Sequence, residues 1–417
     1  MMDYADALQE ILALAGAAQL DTLPCAQAAG RVLAQACSAQ EHLPPFDNTA
    51  MDGYALFAPE NGLPVGSKLP VVGLLPAGDA AGDYQAGAIE IMTGAPIPSG
   101  CNAVIPVECI GLTQREDSSP AEIELQEPVH PGQHVRKAGE DIRAGEPLLA
   151  AGCRLGAVET TLLAAQGIES VKVARSPRIA IISTGKELVD DPRQALAAGQ
   201  IRNSNRPYLQ LRAADAGAEV VSTDTVSDDI DAFVTALDRA LASGADMIIS
   251  TGAVSMGRFD FVPEALQRFG ATMRFHKTRI RPGKPILFAT LPDGQLFFGL
   301  PGNPVSSAVG FRFFVEPAIR QRLGLPAESA LRLPLANALP KKPPLRLHLK
   351  GRVELDAEGR LRARILPGQE SFRIRPLLDA NCWIVVEHDR PALAESDLVI
   401  VVSLCHLSPL VFSGVLT

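Results

Sequence analysis

Apolar positions along the chain change period several times, and each change predicts a different kind of unit. Residues 3–39 are rich in Ala and Leu, with Ala7, Leu8, Ile11 and Leu12 at helical spacing and Gly16 and Gly30 where helices can stop. They predict a helical lead-in. Between Pro44 and Gly139, Gly and Pro recur every few residues around short apolar runs such as 88–92 and 122–125, which predicts an all-β unit. Residues 144–167 return to the Ala/Leu pattern, so the β unit reads as an insertion into a helical domain.

From Arg178 onward the runs are continuous. The pentapeptide Ile-Ile-Ser-Thr-Gly occurs twice, at 181–185 and 248–252, and each copy closes a fully apolar run of the kind that forms a buried parallel strand. Between them lie a helical segment at 207–216, a strand at 219–222 and a helix at 230–242 that Asp228 or Asp229 can cap. Strand and helix alternate, as in a doubly wound α/β fold. Strands at 286–288 and 296–298 extend the sheet, and residues 305–323 supply a closing helix. The Pro-rich stretch 339–344 reads as a linker, and the alternation Leu345-Arg346-Leu347-His348-Leu349-Lys350 opens a small C-terminal β domain. The predicted domains are thus a discontinuous helical one (1–45 and 140–176), a β-rich insertion (46–139), an α/β domain (177–328) and a C-terminal β domain (329–417).

Composition agrees with several domains. A length of 417 residues allows two to four units at about 150 residues each. The net charge of -9 opposes non-specific attraction to nucleic acid, so an anionic ligand needs a local basic site. Seven scattered Cys without a Cys-x-x-Cys pair argue against zinc and for reduced thiols. The acids of Met1-Met2-Asp3-Tyr4-Ala5-Asp6 disfavour a signal peptide, which points to the cytoplasm. Residues 398–417 carry no charge, but Pro409 and Gly414 divide them into short runs at 399–402 and 410–412 that read as strands rather than a membrane anchor.

Ligands of open α/β sheets bind beyond the carboxyl ends of the strands, where Ser183, Thr184, Gly185, Ser250, Thr251 and Gly252 should lie, with hydroxyls and amides able to hold oxyanions. Lys284 within Arg281-Pro282-Gly283-Lys284-Pro285 and the loop Leu300-Pro301-Gly302-Asn303-Pro304 fall nearby in this reading. A Walker A motif fails at Ala180 and Glu187, and a nucleophile elbow fails at Ala253. Asp47, Asp52, Glu140, Asp141, Glu187, Asp228, Asp229 and Asp260 can hold Mg²⁺ against phosphates, or can serve as ordinary caps and turn residues.

Five blocks in order resemble the molybdopterin molybdenumtransferase (MoeA) family, related to the gephyrin E domain: residues 45–55, 92–98, 139–142, 281–285 and 300–306. The resemblance implies a molybdopterin-binding α/β module and an enzyme that inserts molybdate into the dithiolene of adenylated molybdopterin, releasing AMP with Mg²⁺. It places Asp52, Thr93, Asp141, Glu187 and Asp260 at functional positions, Asp228 or Asp229 with Asp260 at the metal, Pro301 and Pro304 in the loop shaping the cleft, and Lys284 and Ser306 on the oxyanion. It also implies an elongated homodimer whose cleft joins the β insertion of one subunit to the α/β and C-terminal domains of the other, and a molybdopterin adenylyltransferase as a possible partner. That adenylyltransferase activity and a gephyrin-like scaffold are the alternative readings. Lys186, where the family often has Asp or Asn, and Ala253, where a second Gly is usual, depart from the pattern.

Overall fold

The two Ile-Ile-Ser-Thr-Gly runs are hydrogen-bonded neighbours. The computed structural model describes residues 1–83, 86–114, 120–254, 261–340, 344–390 and 392–411. In it the strand Arg178–Thr184 lies between Glu219–Val226 and Met247–Thr251 and is parallel to both. Leu296–Leu300 continues the parallel set, and Leu287–Thr290 and Thr272–His276 then add antiparallel, so the sheet is mixed. The strands are apolar throughout because both faces are covered. Ile179, Ile181, Ile249 and Phe298 face one helical layer, while Ala180, Ile182, Ile248 and Phe297 face another.

Among the described residues six α-helices supply these layers and one lies outside them. α1 (Tyr4–Ala15) buries Ala7, Ile11 and Ala15 at four-residue intervals and stops at Gly16, whose φ is +74°. Its stripe joins the α/β core, together with α3 (Asn205–Asp215), α6 (Pro304–Gly310) and α7 (Glu316–Arg322). α4 (Ile230–Ala242) and α5 (Val262–Arg268) cover the other face. α2 (Ala157–Ala165) packs elsewhere, on a small core of Leu33, Leu155, Leu163 and Val173.

The lead-in is therefore helical only as far as Ala15. Leu20–Pro24 is a strand paired with Ser170–Ala174, and Cys37–Ser38 pairs with Pro147–Leu149. The alternation of Leu20, Thr22 and Pro24 with Asp21 and Leu23 suits an edge ribbon, and Pro24 forbids a continuing helix. In the 46–139 insertion six strands run in the order Ala103–Pro106, Gly53–Leu56, Ala88–Ile91, Lys68–Leu75, Pro120–Leu125 and Ile110–Gln114. Gly53 is required there, since a Cβ would collide with the Ile105 carbonyl.

The C-terminal sheet begins before the Pro-rich stretch. Leu331–Pro334 already pairs with Leu398–Ser403, and the backbone of Leu339 exchanges hydrogen bonds of 2.8 and 3.0 Å with Leu393. Residues 339 and 340 thus belong to the domain instead of leading to it, while 341–343 lie outside the described residues. The run 399–402 is a strand, but Leu410 and Val411 are not, and Phe412 is outside the described residues. Ile280–Arg281 of the α/β unit adds to this sheet as an edge strand beside Arg346–Leu355. Among the described residues no helix is long and apolar enough to cross a membrane.

The closing helix has a π turn, Phe311–Val315, between α6 and α7. Pro317 has no N–H to give the Phe313 carbonyl four residues earlier, and the Tyr4 hydroxyl donates to that carbonyl instead at 3.2 Å. Phe313 also stacks 4.1 Å from His348, which is buried beside Tyr4, and its ring lies 6.2 Å from that of Trp383.

Neither ring nitrogen of His348 has a protein partner among the described residues, and burial, reinforced by Arg346 and Arg312, pushes its pKa well below 6.5. Burial likewise pushes His406 down to about 3. The folded state then binds fewer protons than the unfolded chain, so this part of the stability is intact above about pH 6.5 and is lost as pH falls below it. Replacing His348 with Phe should flatten the fall of the melting temperature between about pH 7 and 5; a slope equal to wild type would show that His348 does not titrate on unfolding.

Candidate functional site

Because Arg178–Thr184, Met247–Thr251 and Leu296–Leu300 are parallel, their carboxyl ends emerge at one edge, each followed by a tight turn. Gly252 has φ +93°, and a Cβ there would stand 2.7 Å from the Thr184 carbonyl oxygen. Gly185, with φ +146°, leaves room for the Glu187 carboxylate, whose oxygens would be 2.7 Å from a Cβ at that position. Thr184 Oγ1 donates to the Thr251 carbonyl at 3.0 Å, tying the two turns together.

A cleft of about 550 Å³ opens over these turns, with Thr184, Glu187, Asp228, Thr251, Gly252 and Pro301 in its wall. The Asp pair is resolved by its hydrogen bonds. Asp229 caps α4, accepting from the Ala232 N–H at 2.8 Å, whereas Asp228 lines the cleft and accepts from the Lys186 N–H at 3.4 Å. Glu187 and Asp228 form no ion pair among the described residues, so they give the cleft two carboxylates without a paired cation there. Asp260 lies outside the described residues, among which no three His, Cys, Asp or Glu side chains are gathered as a metal cage.

Four expected ligand contacts are placed differently. The N–H groups of Gly185 and Gly252 are already donated to Val226 and Leu300 at 3.0 Å, and the hydroxyls of Ser183 and Ser250 are fully buried in the sheet. These serines stand one residue inside the covered part of the sheet, while the threonines after them end the strands at its edge. The Pro301–Pro304 loop is braced by Asn205 Nδ2, 2.8 Å from the Gly302 carbonyl, and by the Ser307 hydroxyl on the Pro301 carbonyl. Pro304 starts α6, where its missing N–H costs nothing.

A second cavity of about 660 Å³ shares Pro285 with the first. Lys284 and Ser306 stand on its α/β side, and Leu347, Leu349, Gln369, Ser371 and Phe372 on its C-terminal side. Lys284 is exposed and makes no ion pair among the described residues. The opposite wall depends on Lys350, which in the sequence is only one step of the alternation that opens the C-terminal domain. Lys350 is buried, and its Nζ donates to the carbonyls of Gly368, Glu370 and Arg373 at 2.6, 3.3 and 3.1 Å. The Gln369 side chain bonds the Lys350 backbone in both directions, at 3.0 and 2.9 Å. A Lys on an inward-facing strand position was the available signal.

The acids of the insertion form a separate group. Asp52 Oδ1 accepts from Thr93 N and Oγ1 at 2.6 and 2.7 Å, and these two bonds, the backbone one first, hold the Asp52 carboxyl below the usual range. Asp47 accepts from Lys137 Nζ and the Ala138 N–H, both at 2.8 Å, and Glu140 from the Lys137 N–H at 2.9 Å. Asp141 is exposed, its N–H bonded to the Leu43 carbonyl at 3.0 Å. Within one chain none of Asp52, Thr93 and Asp141 lines either cavity.

Three family models match in order: the MoeA N-terminal region (domain I and II) over residues 2–167, a probable molybdopterin binding domain over 180–321, and the MoeA C-terminal region (domain IV) over 332–404. A molybdopterin molybdenumtransferase of Synechococcus elongatus is 37% identical over 97% of this chain and 100% of its own length. One of Bacillus subtilis is 36% identical over 85% and 83%. Among solved structures, a molybdopterin biosynthesis MoeA protein of Pyrococcus horikoshii superposes with a TM-score of 0.79 at 28% identity, covering 96% of this chain and 99% of that one.

Replacing Lys350 with Met should leave the three carbonyls without their charged donor and cost about 1–3 kcal/mol. Thermal unfolding and hydrogen exchange across residues 366–373 measure this; protection equal to wild type would mean that the segment is held by something other than Lys350.

Proposed function

We propose that this chain, which belongs to the molybdopterin molybdenumtransferase (MoeA) family, completes the molybdenum cofactor by inserting molybdate into the dithiolene of adenylated molybdopterin, with release of AMP. The observation that carries the reading is the pair of adjoining cavities on either side of Pro285, one lined by carboxylates and Thr hydroxyls, the other by a cation and hydroxyls. A substrate that brings phosphates to the first and meets an oxyanion in the second needs this division. Lys284, with the hydroxyls of Ser306 and Ser371 beside it, supplies charge and donors for a tetrahedral oxyanion. The substrate's own sulfurs ligate the molybdenum, so the protein's part is to position two reactants, and no nucleophilic side chain is called for.

Glu187, Asp228, Thr184 and Thr251 are hard oxygen donors, which fits Mg²⁺ held by one or two carboxylates together with substrate phosphates. When bound there, Mg²⁺ would neutralise phosphate charge. Glu187 and Asp228 would orient it, and Asp260 is a further donor by its place in the sequence. Asp52, Thr93 and Asp141 stand apart from the cavities of their own chain, which supports a homodimer in which a second copy presents them to the cleft. Thiols free of disulfides among the described residues fit a reducing cytoplasm, and a molybdopterin adenylyltransferase would hand over the substrate. Adenylyltransferase activity of this chain itself is not favoured, since matched MoeA regions extend over residues 2–167 and 332–404 beyond the α/β module.

Supplied with adenylated molybdopterin, the protein should release AMP only when molybdate is present; release independent of molybdate would overturn the reading. Lys284→Met should raise the half-saturating molybdate concentration about tenfold, the loss of one charge-assisted contact, with an unchanged melting temperature. Mixing Asp52→Ala with Glu187→Ala should regenerate activity through heterodimers carrying one intact cleft. Failure to do so after demonstrated subunit exchange would exclude the shared cleft.

A further inference from the structure

Phe372 sits at the mouth of the second cavity with 64% of its surface exposed. Scattered exposed apolar side chains are ordinary. What sets Phe372 apart is that its backbone is pinned on both sides. The Ser371 carbonyl accepts from the Val305 N–H at the start of α6 at 3.0 Å, and the Arg373 carbonyl accepts from the buried Lys350 Nζ at 3.1 Å. The Arg373 guanidinium lies 5.8 Å from the Phe372 ring centroid and is itself held by the Glu370 carboxylate at 3.1 Å. Among the described residues no other aromatic ring packs against it. An exposed ring is thus carried on a fixed turn, backed by a tethered cation, beside Lys284 and Ser306.

We propose that Phe372 is a substrate-binding residue whose ring stacks on the pterin of the incoming molybdopterin. The inference rests on the molybdenum-insertion reading above and adds a specificity contact to it. Apolar Leu345, Leu347 and Leu349 line the same cavity as Phe372, so its C-terminal side is largely apolar, while Arg281, Lys284 and Ser306 stand on the α/β side. A pterin with an anionic reaction partner presents the same two chemistries. The substrate carries two flat heterocycles, and position separates them. The dithiolene is borne on a ring fused to the pterin, so an oxyanion at Lys284 reacts next to the pterin. The adenine lies across the phosphates, on the side of the acid-lined cleft. Stacking of a heterocycle on an aromatic side chain tolerates exposure to water, because the gain comes from the contact of two faces.

The test compares wild type with Phe372→Ala and Phe372→Trp as full-length proteins. Phe372→Ala should raise the KM for adenylated molybdopterin about tenfold, the usual loss of one ring stack. Half-saturating molybdate should stay at its wild-type value, and Phe372→Trp should restore the KM. Pterin fluorescence, quenched on binding to wild type and to the Trp variant, should be quenched less by the Ala variant at saturation. A wild-type KM in Phe372→Ala, a loss confined to molybdate, an equal weakening of AMP as a product inhibitor, or dissociation of the oligomer would each overturn the assignment. The last two would place the ring against adenine or against a second copy. Absence of molybdate-dependent turnover in wild type would instead remove the parent reading, so the two failures are distinguishable.

Discussion

A single buried carboxylate holds the α/β layer, the closing helix and the C-terminal chain in register. Glu316 is fully buried at the start of α7. It meets Arg212 of α3 at 2.8 Å and Arg312 of the π turn at 3.5 Å, and accepts from the His406 N–H at 2.9 Å. The two guanidiniums also reach outward, Arg212 to the Leu404 carbonyl and Arg312 to the Ser403 carbonyl. Burial raises the carboxyl's pKa and both arginines oppose that rise. Such a cluster contributes little net stability compared with an apolar replacement, while breaking it leaves an unpaired buried charge at a cost of about 3–5 kcal/mol. Its structural effect is geometric. It fixes the end of the last strand of the C-terminal sheet against α3 and α7, and the cavity between Lys284 and Phe372 lies between the same two domains at another place, beside Ile280–Arg281.

The site follows from this fixation. Its α/β wall is rigid because parallel strands end there in glycine turns, and its C-terminal wall is rigid because Lys350 replaces missing secondary structure with three carbonyl contacts. Neither wall alone encloses the cavity. The relative placement of the two sheets therefore shapes the cavity as much as the side chains that line it, and the edge strand Ile280–Arg281, which the α/β unit lends to the C-terminal sheet, runs directly into the Lys284 loop.

Local signals were legible wherever the structure is local. The two Ile-Ile-Ser-Thr-Gly runs, the helix 230–242 and its Asp cap need no partner far along the chain to be recognised. Leu20–Pro24 could not be read in the same way, because its strand character depends on Ser170–Ala174, about 150 residues later. The early start of the C-terminal sheet at Leu331 was hidden for the same reason, its partner being Leu398–Ser403. Within the site, Thr184, Glu187, Thr251 and Pro301 were readable from motif and strand end. Ser183 and Ser250 stand one residue before the strand ends, inside the covered sheet, which the hydroxyl-rich composition masked. Lys350 escaped notice because its ligands are backbone carbonyls, which leave no trace in side-chain identity.

The hydroxyl of Tyr4 on the Phe313 carbonyl links positions 309 residues apart, and this has a consequence for synthesis. At about 5–20 residues per second, α1 leaves the ribosome some 15–60 s before the π turn that receives it. Its stripe of Ala7, Ile11 and Ala15 has no docking surface during that interval, since α7 and the last parallel strand are still untranslated. The α/β unit therefore closes only after the insertion has had time to fold on its own sheet. Until α1 docks, the apolar surface that Ala7, Ile11 and Ala15 cover stays exposed, and a chain held in that state for so long is prone to aggregate.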